Sequence, residues 1–247
     1  MKLLFNSLII CSIAVCSCVP AQAQFGNFVK DAEKDLNNLT GNNHGKNLSS
    51  ADITAGLKDA LNQGAKAATG RVTAVNGFFG DQAIKILMPP EARNMEATLR
   101  EMGMGSQVDQ AILSMNRGAE DAAQKALPIF LKAVSNMTIE DGLSILRGNK
   151  DAATQYLKNK TSNDLYNAFL PEIRKSLDKV NATKYWSDIF SIYDEVPFVA
   201  KVNTNLPDYV THKALDGVFY YIAQEEAKIR ANPEARLTDI LKKVFGS

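Results

Sequence analysis

At three places that open a helical pattern in this chain, a serine or threonine is followed three positions later by an aspartate and then by apolar residues at helical spacing. Ser49 with Asp52, Ser106 with Asp109 and Thr138 with Asp141 each read as the start of a helix. The hydroxyl can accept from the N–H three residues on, and the carboxylate can return the bond to the cap. Behind these starts run Ile53, Leu57, Ala60, Leu61 and Ala68, then Ile112, Met115 and Ala119, then Leu143 and Leu146 up to Gly148. Sustained period-two alternation is nearly absent. The best strand candidate, Ile84 to Leu87 before Pro89 and Pro90, is short enough to be an extended connector or a minor hairpin.

Prolines and glycines add to the pattern. Pro90 suits the first turn of a helix over Glu91 to Met102 that ends at Gly103. Pro128 and Pro171 sit in otherwise helical stretches and are expected to kink or divide them. Further helices are predicted over Asp151 to Lys158, Ser162 to Val180, Thr183 to Tyr193, Pro207 to Ala231 and Pro233 to Phe245. The sum is an all-α fold, a single compact domain of about nine or ten helices over residues 48–247, with no repeat of fixed period.

What precedes that domain reads differently. All three cysteines, Cys11, Cys16 and Cys18, lie in one apolar N-terminal run behind Lys2. With the small-residue ending Ala21-Gln22-Ala23, residues 1–23 have the parts of a secretory signal peptide, and are too short and interrupted for a membrane span. Cleavage after Ala23 would leave a mature chain starting at Gln24 with no thiol, and therefore no disulfide, thiolate ligand or cysteine nucleophile. The alternative is lipoprotein processing with acylation of Cys18, the one route by which this chain is expected to touch a membrane. Residues 24–47 form a leader to the domain. Phe25 to Leu39 make a short amphipathic helix, and Thr40 to Asn47 a polar linker that contains His44.

Removing residues 1–23 takes away Lys2 alone, so the 28 basic residues of the full chain become 27, matching its 27 acidic ones. A neutral chain without a clustered basic excess does not suit nucleic acid. Only Lys228 to Lys243 leans basic, and a solvated helix face explains that.

Several polar groups share helix faces. His212 and Asp216 are four apart and could form a hydrogen-bonded pair, though no nucleophile accompanies them; Glu226 and Arg230 repeat the spacing as a simple surface ion pair. Asn116, Arg117 and Glu120 form a group that could hold a polar ligand or stitch two helices together. Gly118 and Gly217, inside helical patterns, suggest close approach of another backbone. The aromatic series Tyr185, Trp186, Phe190, Tyr193 and Phe198, with Phe219 to Tyr221, could pack a core or line a pocket for an apolar ligand. There is no nucleophile elbow, phosphate-binding glycine loop, zinc-protease motif or calcium loop, so no metal or cofactor is expected.

At these segments the chain closely resembles the bacterial exported family of domain of unknown function 4197. The resemblance rests on Asp52 to Leu61, Met115 to Glu120, Pro128 to Phe130 with Met137 and Thr138, Ala152 to Tyr156, Tyr209 to Phe219, and Ile229 to Pro233 running on to Lys243 to Gly246. It covers residues from Leu48 to the C-terminus in one colinear block. Gly118 stands where alanine is usual in the family, and His212 where the family varies, which lowers any catalytic role for His212. The resemblance implies a helical envelope domain and brings no activity with it.

The expectation is therefore an exported protein, periplasmic or anchored through Cys18, that acts without catalysis as a binding or interaction module. Its partner would be another protein or a small apolar ligand. The competing expectation is a hydrolase or lyase built from Asn116, Arg117, Glu120, Lys213 and Asp216, which requires those side chains to meet in one open cleft. The same five residues are the candidate ligand contacts.

Overall fold

Ser49 accepts a hydrogen bond from the Asp52 N–H while the Asp52 carboxylate accepts from the Ser49 N–H, closing a capping box at the start of α1, Ser50–Val72. A computed structural model describes residues 49–179, 181–183, 186 and 205–231. All of them lie in the second of two units into which the chain divides, Met1–Asn47 and Leu48–Ser247. The signal segment, the Phe25 to Leu39 helix, the linker to Asn47, the helix over Pro233 to Phe245 and most of the one over Thr183 to Tyr193 fall outside the described residues.

The described residues are all-helical, with no strand among them. After α1 come a 3-10 turn at Pro90–Ala92, α2 at Arg93–Glu101, α3 at Gly105–Ala123, α4 at Ala126–Ser135 and α5 at Ile139–Arg147. Two long helices complete them, α6 at Ala152–Asp178 and α7 at Leu206–Ala231. Thr138 and Asp141 form the second capping box, on α5, and Gly103 turns the chain after α2 with φ +81°.

Ser106 does not cap α3. That helix begins one residue earlier, without a side-chain cap, and Asp109 instead accepts from Arg100 at 2.8 Å across the turn. The helices expected over Asp151 to Lys158 and Ser162 to Val180 are one. The helix runs through the polar stretch between them, where the Thr161 and Ser162 hydroxyls are satisfied within it by donating to the carbonyls of Leu157 and Lys158, each at 2.6 Å. Pro171 does not divide α6 either; the carbonyl its ring leaves unbonded belongs to Asn167, which is exposed to water. Pro128 falls in the first turn of α4, where no N–H is required, and the break lies just before it at Gln124 and Lys125.

The core is a continuous apolar cluster to which all the long helices contribute, with α3 on α6, α6 on α7 and α1 on α7 as the most extensive contacts. Phe130 and Phe219 meet edge to face at 5.8 Å within it. Gly118 explains how closely α3 approaches α6: a Cβ there would stand 3.1 Å from the Ser176 Cβ and 3.4 Å from the Ile173 Cα. Beside it the Ser114 hydroxyl donates to the Ser176 carbonyl at 2.9 Å. Gly217 is small for another reason. The ring of Phe78 lies where its Cβ would be, at 2.5 Å, so a side chain fills the space expected for a backbone.

Candidate functional site

Residues 73–89, between α1 and the 3-10 turn, form no helix or strand, yet Phe78, Ile84, Ile86 and Met88 are buried. A buried connector needs partners for its backbone polar groups. Side chains of α3 and α7 supply them. Asn116 treats Ile86 as a neighbouring strand would: its Oδ1 accepts from the Ile86 N–H and its Nδ2 donates to the Ile86 carbonyl, both at 2.8 Å. Glu120 accepts from the N–H groups of Phe78 and Phe79 at 3.1 and 3.2 Å through one oxygen, and from Arg117 at 2.5 Å through the other. Arg117 then donates to Asn76 at 2.8 Å, in a turn where Asn76 has φ 64°.

The far side of the loop is held from α1 and α7. The Tyr221 hydroxyl donates to Asp81, Arg71 donates to the same carboxylate oxygen at 3.1 Å, and the Arg71 guanidinium lies 4.3 Å from the centre of the Tyr221 ring. The tyrosine hydroxyl, followed by the Ala83 N–H and Arg71, holds the Asp81 carboxyl below its usual range against the opposing effect of burial. Burial and then Asp81 push the Tyr221 phenol up. Tyr209 donates to the Leu87 carbonyl at 3.2 Å.

Three of the five candidate contacts, Asn116, Arg117 and Glu120, are thus brought together and engaged with the loop. Lys213 and Asp216 lie elsewhere, on an exposed face of α7, where they face each other at 3.7 Å. His212 is not paired with Asp216. Its Nε2 sits 3.5 Å from Asp208, which also accepts from Tyr166 at 2.5 Å, so the pair forms with the residue four before rather than four after.

Glu226 and Arg230 are not a surface pair. Glu226 reaches the start of α6 and accepts from the N–H groups of Ala153 and Thr154 at 3.0 and 2.8 Å and from the Thr154 hydroxyl at 2.7 Å. Asp151, at the cap position, accepts from the Gln155 side chain and makes no capping bond to the backbone, so a residue of α7 caps α6 from a distance. Arg230 binds Glu226 at 2.8 Å and donates to the Ile145 carbonyl at 3.1 Å, near the end of α5. An anion at a helix N-terminus and a cation at a helix C-terminus both match the helix dipoles.

A concave apolar site lies elsewhere. Met95 and Leu99 of α2 face Val108 and Ala111 of α3 across a groove of about 450 Å³, closed further by Met88, Met104, Trp186 and Leu206. Gln107, Gln110, Glu96, Lys179 and Asn181 bring polar groups to it. No residue of α2 is buried, and its main contacts are with α3 and the adjoining 3-10 turn. Trp186 belongs to the aromatic series expected to pack or to line a pocket; Tyr185, Phe190, Tyr193 and Phe198 lie outside the described residues. The methionines of this groove carry a sequence signal of their own. The available signal was their clustering, since five of the seven in the chain fall between Met88 and Met115.

Among the described residues no group of histidines and carboxylates is arranged to hold a metal ion, and no helix is long and apolar enough to cross a membrane. A family model described as protein of unknown function (DUF4197) matches residues 47–246. The chain belongs to this DUF4197 family. No curated protein and no solved structure matches it. Family membership accordingly assigns no chemistry to the groove.

Proposed function

We propose that this DUF4197 protein is a non-enzymatic binding module that is exported and takes a small apolar ligand into the groove between α2 and α3. The observation that carries this reading is the groove itself: about 450 Å³ lined by Met88, Met95, Leu99, Met104, Val108 and Trp186. That volume falls in the range of about 300–1,000 Å³ usual for small-molecule sites, and apolar walls with a few polar groups are their ordinary composition. Methionine suits such walls because its unbranched thioether adapts to the shape of what it meets. Lining from several elements favours a small molecule over a flat partner surface.

A hydrolase or lyase is the weaker reading. Asn116, Arg117 and Glu120 are committed to the backbone and side chains of the 73–89 loop, and Lys213 and Asp216 to each other on a different exposed face. Export through the N-terminal segment, with the periplasm as destination and Cys18 acylation as the alternative, is part of the proposal.

Native mass spectrometry of the protein purified from its own envelope tests both parts. The expected spectrum has a mature chain beginning at Gln24 with a small apolar molecule retained. A chain that keeps residues 1–23 overturns the export reading. A bare chain whose groove also fails to take up an apolar dye overturns the binding reading.

A further inference from the structure

Lys179 lines the apolar groove and also a second, polar cleft of about 220 Å³ that runs along the seam between α3 and α6. The cleft carries three lysines, Lys125, Lys175 and Lys179, against two carboxylates, Asp121 and Glu172. One of each is matched, since Lys125 lies 3.9 Å from Glu172. Among the described residues Lys175 and Lys179 form no ion pair. Glu96, the carboxylate at the groove, is turned to Arg100 at 2.8 Å. An apolar cavity and a cleft with one lysine more than its carboxylates therefore adjoin at Lys179, an ammonium that forms no ion pair among the described residues.

We propose that the groove ligand is a single-chain amphiphile with a carboxylate head, its hydrocarbon chain between α2 and α3 and its head at Lys179 where groove and cleft meet. This rests on the groove being a ligand site and adds the ligand's charge and orientation. The chemistry is the usual division of labour in such sites: apolar walls take up the chain, and one placed cation fixes which end points outward. A neutral chain of the same length keeps the first interaction and loses the second. Lys179 also stands at the C-terminal end of α6, where a cation complements the helix dipole, so Lys179→Gln is compared with wild type in urea unfolding to separate a loss of stability from a loss of binding.

The test titrates the full chain with dodecanoate and with dodecanol and follows the emission of Trp186, the one tryptophan of the chain. Wild type is expected to bind dodecanoate about tenfold more tightly than dodecanol, the scale of one charge-assisted contact, and Lys179→Gln to abolish that difference while leaving dodecanol binding intact. Equal binding of the two probes, unchanged by Lys179→Gln, overturns the carboxylate assignment and leaves the groove reading standing. Failure of both probes to bind overturns the groove reading as well. So does a concentration-dependent dimer in sedimentation that excludes both probes, because the groove would then be covered by a second copy.

Discussion

The stitched loop and the groove are built from opposite materials. At the loop, Asn116, Glu120, Asp81 and Arg117 are polar and matched: carboxylate, amide and guanidinium groups all face N–H, carbonyl, hydroxyl or charged partners within the protein. Across the groove, Met95 and Leu99 stand opposite Val108 and Ala111 with a space of about 450 Å³ between them. Polar residues at familiar spacings invite a search for chemistry. Here they are bound up in holding a buried connector in place, and the concavity lies where the residues are plain. A cluster whose hydrogen bonds are satisfied internally offers a ligand little, whereas an unfilled apolar wall gains by being covered.

If the stitching side is structural, changes there appear as lost stability, in an order set by burial. Glu226→Ala is expected to cost most, about 4 kcal/mol in urea unfolding, because it leaves two N–H groups, a hydroxyl and a largely buried Arg230 without their acceptor. Glu120→Ala should cost less, about 3 kcal/mol. Its arginine has 37% of its side chain exposed against 21% for Arg230, and so recovers more hydration. A loss below about 1 kcal/mol in either variant would mean that the carboxylate is kept for something other than holding the structure. Gly217→Ala drives a methyl into the ring of Phe78 and is expected to cost about 2 kcal/mol; no loss would show that the loop yields easily.

Acid separates the regions in another way. Because the Asp81 carboxyl is held low in the folded protein, its contribution is fully present above the unfolded value of about 3.9 and is lost as pH falls through the lower folded value. Melting temperature should therefore drop as pH falls below about 4, and by less in Asp81→Asn; identical pH profiles would dismiss the Tyr221–Asp81–Arg71 cluster as a stabilising element. The smallest effect belongs to Lys213→Ala and Asp216→Ala. An exposed pair 3.7 Å apart should change stability by no more than about 0.5 kcal/mol and leave groove binding unaltered.

Local signals were readable and distant ones were not. Ser49, Thr138, Gly103 and Gly148 mark boundaries because a cap or turn is decided by residues a few positions apart. Ser106 has the same signature, yet a helix entered from the Gly103 turn starts before it, and Arg100 takes Asp109. Glu226 and Arg230 have the spacing of any surface pair; only packing α7 beside α5 and α6 buries them and supplies their backbone partners. Of the 73–89 loop only Ile84 to Leu87 was legible, as an extended connector or a minor hairpin; its partners were not, since the groups that satisfy it come from positions as distant as Glu120 and Tyr221. The groove needs Met88, residues of α2 and α3, Trp186 and Leu206 together, and spacing along the chain does not report such a meeting.

The most direct test of the groove as a ligand site is a titration of the full chain with dodecanol, read by Trp186 emission in wild type and in Ala111→Phe, whose added ring occupies the space from the α3 side. A saturable change in wild type that is lost in Ala111→Phe, with both proteins equally stable in urea, is the predicted result. No response in wild type, or an identical response in the two proteins, would contradict it.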